Sequence, residues 1–130
     1  MDAKRVLRVL LAEDVKLNQL LTQKLLARSG YRIDIVENGQ EAIDAVRQTD
    51  YDVILMDVQM PEIDGIEATR RIRALPLPKC SVPIIALTAQ AAVNTQEELL
   101  AAGMDDYISK PINFDILFSK LSAIASQIGI

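Results

Sequence analysis

The chain of 130 residues contains no histidine and no tryptophan, and it has a single cysteine, Cys80. Without histidine the protein lacks the commonest general base and the commonest metal ligand, so a metal site here must consist of oxygen ligands. A single cysteine excludes an intrachain disulfide and favours a reducing compartment, so we expect a cytoplasmic protein. Cys80 falls in a predicted loop, and the sequence assigns it no role.

Membrane-length apolar runs and an excess of positive charge are also missing. Arg8 interrupts the apolar stretch Val6–Ala12, and nothing approaches the roughly 18 apolar residues of a membrane span, so we expect neither a signal peptide nor membrane insertion. The 14 Lys and Arg residues are outnumbered by 18 Asp and Glu residues, and the net charge of −4 disfavours direct binding to nucleic acid. Aromatic residues make up only 4% of the chain, so aliphatic side chains must fill the core.

Short apolar runs alternate with helical patterns five times along the chain. The predicted strands are Val6–Ala12, Arg32–Val36, Asp52–Met56, Pro83–Thr88 and Asp106–Ser109. The predicted helices are Val15–Ser29, Gly39–Gln48, a segment from the turn at Gly65 to about Ala74, Thr95–Ala102, and a last helix from about Asn113. Five strand–helix units predict an α/β fold of the flavodoxin-like (βα)5 type, a doubly wound parallel five-stranded sheet with strand order 2-1-3-4-5. One domain at 6–130, after an N-terminal tail at 1–5, accounts for the length.

Helix caps and apolar stripes can be assigned from the same pattern. Asp14 is predicted to cap the first helix and Asn38 the second. In the first helix the core-facing stripe comprises Leu21, Leu25 and Leu26, which leaves Leu17 and Leu20 outside it. In the last helix Ile116 points away from the predicted core stripe, which comprises Phe114, Leu117, Phe118, Leu121, Ala125 and Ile128.

Polar side chains lie at the end of one predicted strand, the fourth, and directly after three others. In chain order they are Glu13 and Asp14, then Asp57, then Thr88, then Lys110. The second strand, followed by Glu37 and Asn38, adds nothing obvious. The carboxyl ends of parallel strands meet at one edge of the sheet, where such folds bind their ligands. Since strands one and three are predicted neighbours, about 4.8 Å apart, the three acids should share one pocket.

Three carboxylates in one pocket repel one another. Each pair at about 4 Å costs on the order of 4 kcal/mol at an effective dielectric of 20, so either one acid is protonated or a cation lies among them. Oxygen ligands favour Mg²⁺, which together with a hydroxyl and an ammonium would suit an incoming phosphoryl group. Asp57 would then be a nucleophile that forms an acyl phosphate. Taken alone, Asp57 also fits an ordinary turn, because Asp-x-x-Pro is common turn chemistry.

Four segments together give the chain a family resemblance: AED at 12–14, LMDVQMPEIDG at 55–65, ALTA at 86–89 and YISKP at 107–111. In this combination the chain resembles, over essentially its whole length, the receiver domain of two-component response regulators. The segments LNQ at 17–19, VENGQEAI at 36–43 and MDVQMPEIDGIEATRRIR at 56–73 are most similar to receivers of hybrid sensor histidine kinases. Val15 and Lys16, in the loop after the first predicted strand, depart from the asparagine-led sequence that many hybrid receivers have there.

The resemblance implies a role for each residue of the site. Asp57 would accept the phosphoryl group, Lys110 would contact it, and Thr88 would move to contact it while Tyr107 changes rotamer. The Mg²⁺ ligands would be Asp14, Asp57 and the backbone carbonyl of Gln59, with Glu13 acting mainly through water. The bond before Pro111 is often cis in the family.

The resemblance also implies partners. The phosphoryl donor would be a histidine kinase or a histidine phosphotransfer protein, and a covalent tether to a sensor kinase is one arrangement. Leu17 and Leu20, two leucines outside the core stripe near the acidic pocket, form a hypothetical docking patch for that donor. The expected readout is the face made by the fourth helix, fifth strand and fifth helix.

Three other functions remain open at this point. A phosphatase with an aspartyl nucleophile would typically carry a second Asp two residues after the first, where this chain has Gln59. A flavin-binding module would need a phosphate loop rich in hydroxyls and glycine after the first strand, where this chain has the acids Glu13 and Asp14. A receiver that works without phosphate is disfavoured because all the acids, the hydroxyl and the lysine are present.

Overall fold

The computed structural model describes residues 6–89 and 93–130, with only the backbone described at 93–95; the predicted tail at 1–5 lies outside this range. Within these ranges five strands and five α-helices alternate. The strands are β1 (Arg8–Ala12), β2 (Arg32–Val36), β3 (Val53–Asp57), β4 (Ile84–Thr88) and β5 (Asp106–Ser109). The helices are α1 (Lys16–Arg28), α2 (Gly39–Gln48), α3 (Gly65–Arg73), α4 (Val93–Ala102) and α5 (Phe114–Gln127). A 3-10 helix, Lys79–Ser81, lies in the predicted proline-rich loop.

All neighbouring strands pair in parallel, in the order β2-β1-β3-β4-β5. This confirms the predicted fold and strand order. Ala12 of β1 pairs with Met56 of β3, so Glu13, directly after β1, and Asp57, the last residue of β3, lie at the same level of the sheet. Thr88 pairs with Ser109, which places Lys110 one residue beyond the same edge. The strand register therefore brings four of the predicted site residues to one end of the sheet.

The core lies on both faces of the sheet. Leu10, Ile54 and Met56 pack with residues of α2 and α3 on one face, while Leu11, Leu55 and Leu87 pack with α1 and α5 on the other. Every residue of β3 and β4 is buried. Burial of both faces explains why these strands read as continuous apolar runs rather than as alternating patterns.

The predicted cap of α1 is wrong and that of α2 is confirmed. α1 begins at Lys16, and its N-cap residue is Val15, whose aliphatic side chain cannot accept a hydrogen bond. The amide of Val15 instead donates to Glu13 Oε2 at 3.1 Å, so Glu13 takes the acceptor role predicted for Asp14. Asn38 Oδ1 accepts from the Glu41 amide at 2.8 Å, as predicted. The side chain of Asp14 is therefore exposed and available to a ligand.

Two apolar residues predicted to lie in the core are exposed. Leu21 of α1 is 46% exposed, because the helix turns Gln19, Thr22 and Leu26 toward the sheet. Ile128 is 43% exposed because it follows the last residue of α5, where the helical period ends. Ile116 points outward as predicted, and Leu117, Leu121 and Ala125 are buried, with Phe114 and Phe118 partly buried beside them.

Arg73 joins two connecting segments, α3 to β4 and α4 to β5, at the edge of the sheet opposite the predicted site. Its guanidinium donates to the carbonyls of Gly103, Cys80 and Val82 at 2.8, 2.9 and 2.6 Å, and it pairs with Asp105 at 2.9 Å. Asp105 also accepts the amide of Ile84 at the start of β4. This cluster, Arg73 with Gly103 and Asp105, fixes the ends of α3 and α4 against the sheet.

Among the described helices, none is both long and apolar enough to cross a membrane.

Candidate functional site

A cavity of about 800 Å³ opens at the carboxyl edge of the strands, between β1, β3 and β4. The predicted site residues that line it are Asp14, Asp57, Gln59, Thr88 and Lys110. Residues from the loop after β3 and the start of α3 complete one wall: Val58, Met60, Pro61, Asp64 and Ile66. The cavity is the crevice that the topology of a doubly wound sheet creates where strand order reverses.

Asp57 ends β3 inside this crevice and is only 4% exposed. Its Oδ1 accepts the amide of Gln59 at 3.1 Å, and its Oδ2 accepts Lys110 Nζ at 2.7 Å. The backbone of β3 is fully buried and paired on both sides, so the carboxylate has little freedom to withdraw. The carboxylate therefore faces the cavity with its contact to the Lys110 ammonium already in place.

Glu13 lies behind the cavity and is 1% exposed. Its carboxylate accepts the Val15 amide at 3.1 Å and Asn18 Nδ2 at 3.2 Å, and Lys110 Nζ lies 3.4 Å from Oε1. Burial raises the pKa of Glu13, and a hydrogen bond with Asp57 raises it further. The crowding inferred from the sequence is therefore present, and one acid of the set has an increased tendency to hold a proton.

Lys110 pairs with both buried carboxylates, Asp57 at 2.7 Å and Glu13 at 3.4 Å. Burial by itself lowers its pKa, but the hydrogen bond and charge of Asp57, followed by those of Glu13, outweigh burial and raise the pKa of Lys110 overall. Its amide donates to the Thr88 carbonyl at 2.8 Å, which ties the lysine to the end of β4. The Lys110–Pro111 peptide bond is cis, as the resemblance implied.

The donor set fits a hard divalent cation. Glu13, Asp14 and Asp57 each offer a carboxylate oxygen, and the three oxygens lie within 4.8 Å of one another. Carboxylate and carbonyl oxygens without nitrogen or sulfur suit Mg²⁺, which keeps several waters and needs few protein ligands. Asp14 is exposed to the cavity, whereas Glu13 is already occupied by its own hydrogen bonds. Asp14 and Asp57 are therefore better placed to bind an ion directly.

The other predicted residues are distributed between the cavity and the surface. Thr88 lines the cavity and is 4% exposed. Tyr107 of β5 is half-buried, packs against the core on the side of α2 and α3, and is not among the residues that line the cavity. Leu17 and Leu20 lie on the exposed surface of α1, 65% and 56% exposed, as predicted.

The sequence reasoning missed several residues that shape the site. Asn18 and Gln19 of α1 bind Glu13, the latter through the Glu13 carbonyl at 2.6 Å. Gly65 was predicted to serve only a turn, but a Cβ there would collide with the Asp57 carbonyl oxygen, so glycine is required for α3 to approach β3. Asn18 and Gln19 are polar residues within a leucine-rich helix, and this pattern could have indicated that they bind a polar group at the site. Sequence offers no comparable signal for a close backbone approach.

The family described as response regulator receiver domain matches residues 9–122 of this chain. The sensor protein GacS of Pseudomonas syringae pv. syringae is 47% identical over 113 residues, covering 85% of this chain and 12% of GacS. Hybrid signal transduction histidine kinase B of Dictyostelium discoideum is 42% identical over 130 residues, covering 92% of this chain and 7% of that kinase. The chain therefore spans a small part of the length of these relatives.

Solved receiver structures share the fold. The receiver domain of sensor histidine kinase PA1611 from Pseudomonas aeruginosa PAO1, which has a magnesium ion coordinated in its active site cleft, matches with a TM-score of 0.85 and 39% identity over 94% of this chain and 99% of that one. A match with a TM-score of 0.88 and 28% identity comes from the Saccharomyces cerevisiae complex of the histidine phosphotransfer protein Ypd1 and the receiver domain of Ssk1. It covers 99% of this chain and 95% of that one.

The geometry predicts a pH-dependent loss of stability when Lys110 is replaced. In Lys110→Met, without divalent cations, the free energy of unfolding should fall by about 1–3 kcal/mol at about pH 8, because buried carboxylates lose their charged partner. At about pH 4 the loss should be smaller, since Glu13, with its raised pKa, takes up a proton and no longer needs that partner. Urea unfolding monitored by circular dichroism measures both values.

Lys120→Met is the matched control for this experiment. Lys120 pairs with Asp106 at 2.6 Å, but both side chains are partly exposed, at 29% and 41%, so its loss should be below about 1 kcal/mol at either pH. An equal loss for Lys110→Met at the two pH values, or a loss no larger than that of the control, would contradict the role given to Lys110.

Proposed function

Because the chain belongs to the response regulator receiver domain family, we propose that Asp57 is its phosphoacceptor and that the phosphoryl group comes from a phosphohistidine of a partner protein. The observation that supports this most directly is the position of Asp57, buried at the end of β3 yet facing the cavity with Lys110 at 2.7 Å. A carboxylate oxygen of Asp57 would attack phosphorus, the phosphorus–nitrogen bond to histidine would break, and an acyl phosphate would form.

The proposed magnesium ligands are Asp14, Asp57 and the backbone carbonyl of Gln59, with Glu13 contributing through water. All but Glu13 line the cavity. When bound, the ion would neutralise charge on the acids and on the transferred phosphoryl group. Two features of the chain itself would also act on the phosphoryl group and its acceptor. Lys110 would supply a positive charge beside Asp57, and the paired backbone of β3 would hold Asp57 in place.

The switch would follow from the new charge on Asp57. Phosphorylation adds about −1.5 to −2 charge, next to Thr88 and Lys110 in the cavity. Both residues can contact that charge better in one arrangement than in another, and this difference in free energy limits the shift. We assign Tyr107 to the same rearrangement, because its strand β5 pairs with β4, the strand that ends in Thr88.

The readout face would be the surface formed by α4, β5 and α5. The domain would act as a signalling phosphoacceptor that assists only its own phosphorylation and dephosphorylation.

The donor would dock on α1. Leu17, Leu20 and Leu21 are exposed on this helix beside a largely apolar groove of about 470 Å³. Lys110 and Asn18 line this groove as well, so it adjoins the acidic cavity. A histidine-bearing helical bundle, in a histidine kinase or a phosphotransfer protein, would cover the leucines and bring its phosphohistidine to Asp57. The kinase relatives suggest a covalent tether to a sensor kinase as one such arrangement.

Replacing Asp57 by Asn should abolish phosphorylation. The purified protein, incubated with radiolabelled acetyl phosphate and Mg²⁺, should take up nearly one hydroxylamine-labile phosphate per chain, whereas Asp57→Asn should take up none, because the amide is not a nucleophile. Asp64→Asn is the matched control. It lies on the cavity wall, and asparagine can keep the cap that Asp64 Oδ1 makes with the Glu67 amide. Persistent labelling of Asp57→Asn at normal stoichiometry would refute the assignment.

Replacing Asp14 by Ala should weaken Mg²⁺ binding. Loss of one direct carboxylate ligand should raise the dissociation constant by at least about ten-fold, measured by calorimetric titration. Asp44→Ala, on the exposed surface of α2, removes the same charge away from the cavity and should leave the constant unchanged. Equal affinities for Asp14→Ala and the wild type would remove Asp14 from the ligand set.

Charges placed on α1 should slow phosphotransfer from the cognate donor. The double variant Leu17→Asp and Leu20→Asp should lose at least about ten-fold in transfer rate while accepting phosphate from acetyl phosphate normally, since the cavity is untouched. Leu77→Asp with Leu100→Asp makes the same change at two other exposed leucines and is the control. Unchanged transfer in the α1 variant would exclude this docking surface.

A further inference from the structure

Gly39, the first residue of α2, makes a close contact with the loop that follows Asp57. Its amide donates to the carbonyl oxygen of Ile63 at 3.0 Å. A Cβ on Gly39 would collide with that oxygen and would lie 2.8 Å from the Ile63 carbonyl carbon and 2.9 Å from its Cβ. Gly39 is buried within the first turn of a helix, so this position needs glycine for space rather than for an unusual φ.

The loop it contacts, 58–64, forms much of one wall of the acidic cavity. Gln59, Met60, Pro61 and Asp64 of this loop line the cavity. The base of the loop is closed, because the Gly65 amide donates to the Val58 carbonyl at 2.9 Å. Its tip has a separate constraint, which is the contact between Ile63 and Gly39.

The backbone at the tip adopts a conformation that needs such a constraint. Glu62, directly before Ile63, has a φ of 65°, in the left-handed region that non-glycine residues rarely occupy. Conformations of this kind persist only where the surrounding structure determines them. The contact with Gly39 therefore lies next to the residue whose conformation most needs support.

We propose that Gly39 is a positioning residue for the metal site. Its contact with Ile63 fixes the tip of the 58–64 loop, and the loop in turn positions Gln59, whose backbone carbonyl is a proposed Mg²⁺ ligand, at the cavity. The inference rests on the proposed magnesium site and extends it to the end of β2, the one strand end to which the sequence assigned nothing.

The test is Mg²⁺ titration of Gly39→Ala by calorimetry. The added methyl should displace Ile63, and the dissociation constant for Mg²⁺ should rise about ten-fold, as for other outer-shell partners of metal sites. Gly103→Ala is the matched control, because its Cβ would lie 2.8 Å from Arg73 Cγ in the cluster at the opposite edge of the sheet. This control should lose stability but keep the wild-type affinity, so a merely structural effect is distinguished from positioning.

A measurement on the wild type covers the case in which Gly39→Ala fails to fold. Since coupling is reciprocal, Mg²⁺ should slow hydrogen exchange of the Gly39 amide while leaving that of Gly103 unchanged. Three results would each overturn the role of Gly39 and leave the magnesium site standing. They are an unchanged Mg²⁺ affinity in folded Gly39→Ala, an equal loss of Mg²⁺ affinity in Gly103→Ala, and a Gly39 amide whose exchange rate does not change when Mg²⁺ binds. A wild-type protein that binds no Mg²⁺ would overturn both this inference and the magnesium site.

Discussion

Mutual repulsion of carboxylates at the ends of two adjacent strands is the constraint on which the site depends. Glu13, Asp14 and Asp57 bring oxygens within 4.8 Å of one another, a separation at which like charges cost on the order of 4 kcal/mol per pair at an effective dielectric of 20. Lys110 offsets part of this repulsion, and burial raises the pKa of Glu13. The acids that stay ionised still crowd one another, and a divalent cation bound among them would relieve the remaining repulsion.

The fold can tolerate this repulsion because the rest of the sheet holds the acids in place. β3 is buried along its whole length and hydrogen-bonded to β1 and β4, so Asp57 cannot move away without breaking the central ladder. Glu13 is fixed by Val15, Asn18 and Lys110. Apolar packing on both faces of the sheet provides the stability against which the charge cluster is maintained.

The sequence was sufficient for the strand order and for the meeting of the acids, because both follow from topology. Once β1 and β3 are neighbours, residues directly after them must share an edge. What the sequence could not predict depends on atomic contacts. The Val15 amide donates to Glu13 and the helix begins only at Lys16, a contact that the local sequence does not show. Leu21 is likewise exposed on a helix whose Gln19 side chain donates to the Glu13 carbonyl. The close approaches at Gly39 and Gly65 arise from backbone segments far apart in sequence, which local patterns do not report.

The three acids differ in what they can still bind. Both carboxylate oxygens of Glu13 accept hydrogen bonds from protein donors, whereas the side chain of Asp14 is exposed to the cavity. These surroundings leave Asp14 better placed than Glu13 to bind an ion directly. Lys110 connects this chemistry to the surface, because it borders both the acidic cavity and the apolar groove beside α1. A donor seated in that groove would lie against the same ammonium that neutralises Asp57. Docking and phosphoryl acceptance would then be linked through one side chain rather than through a change of fold.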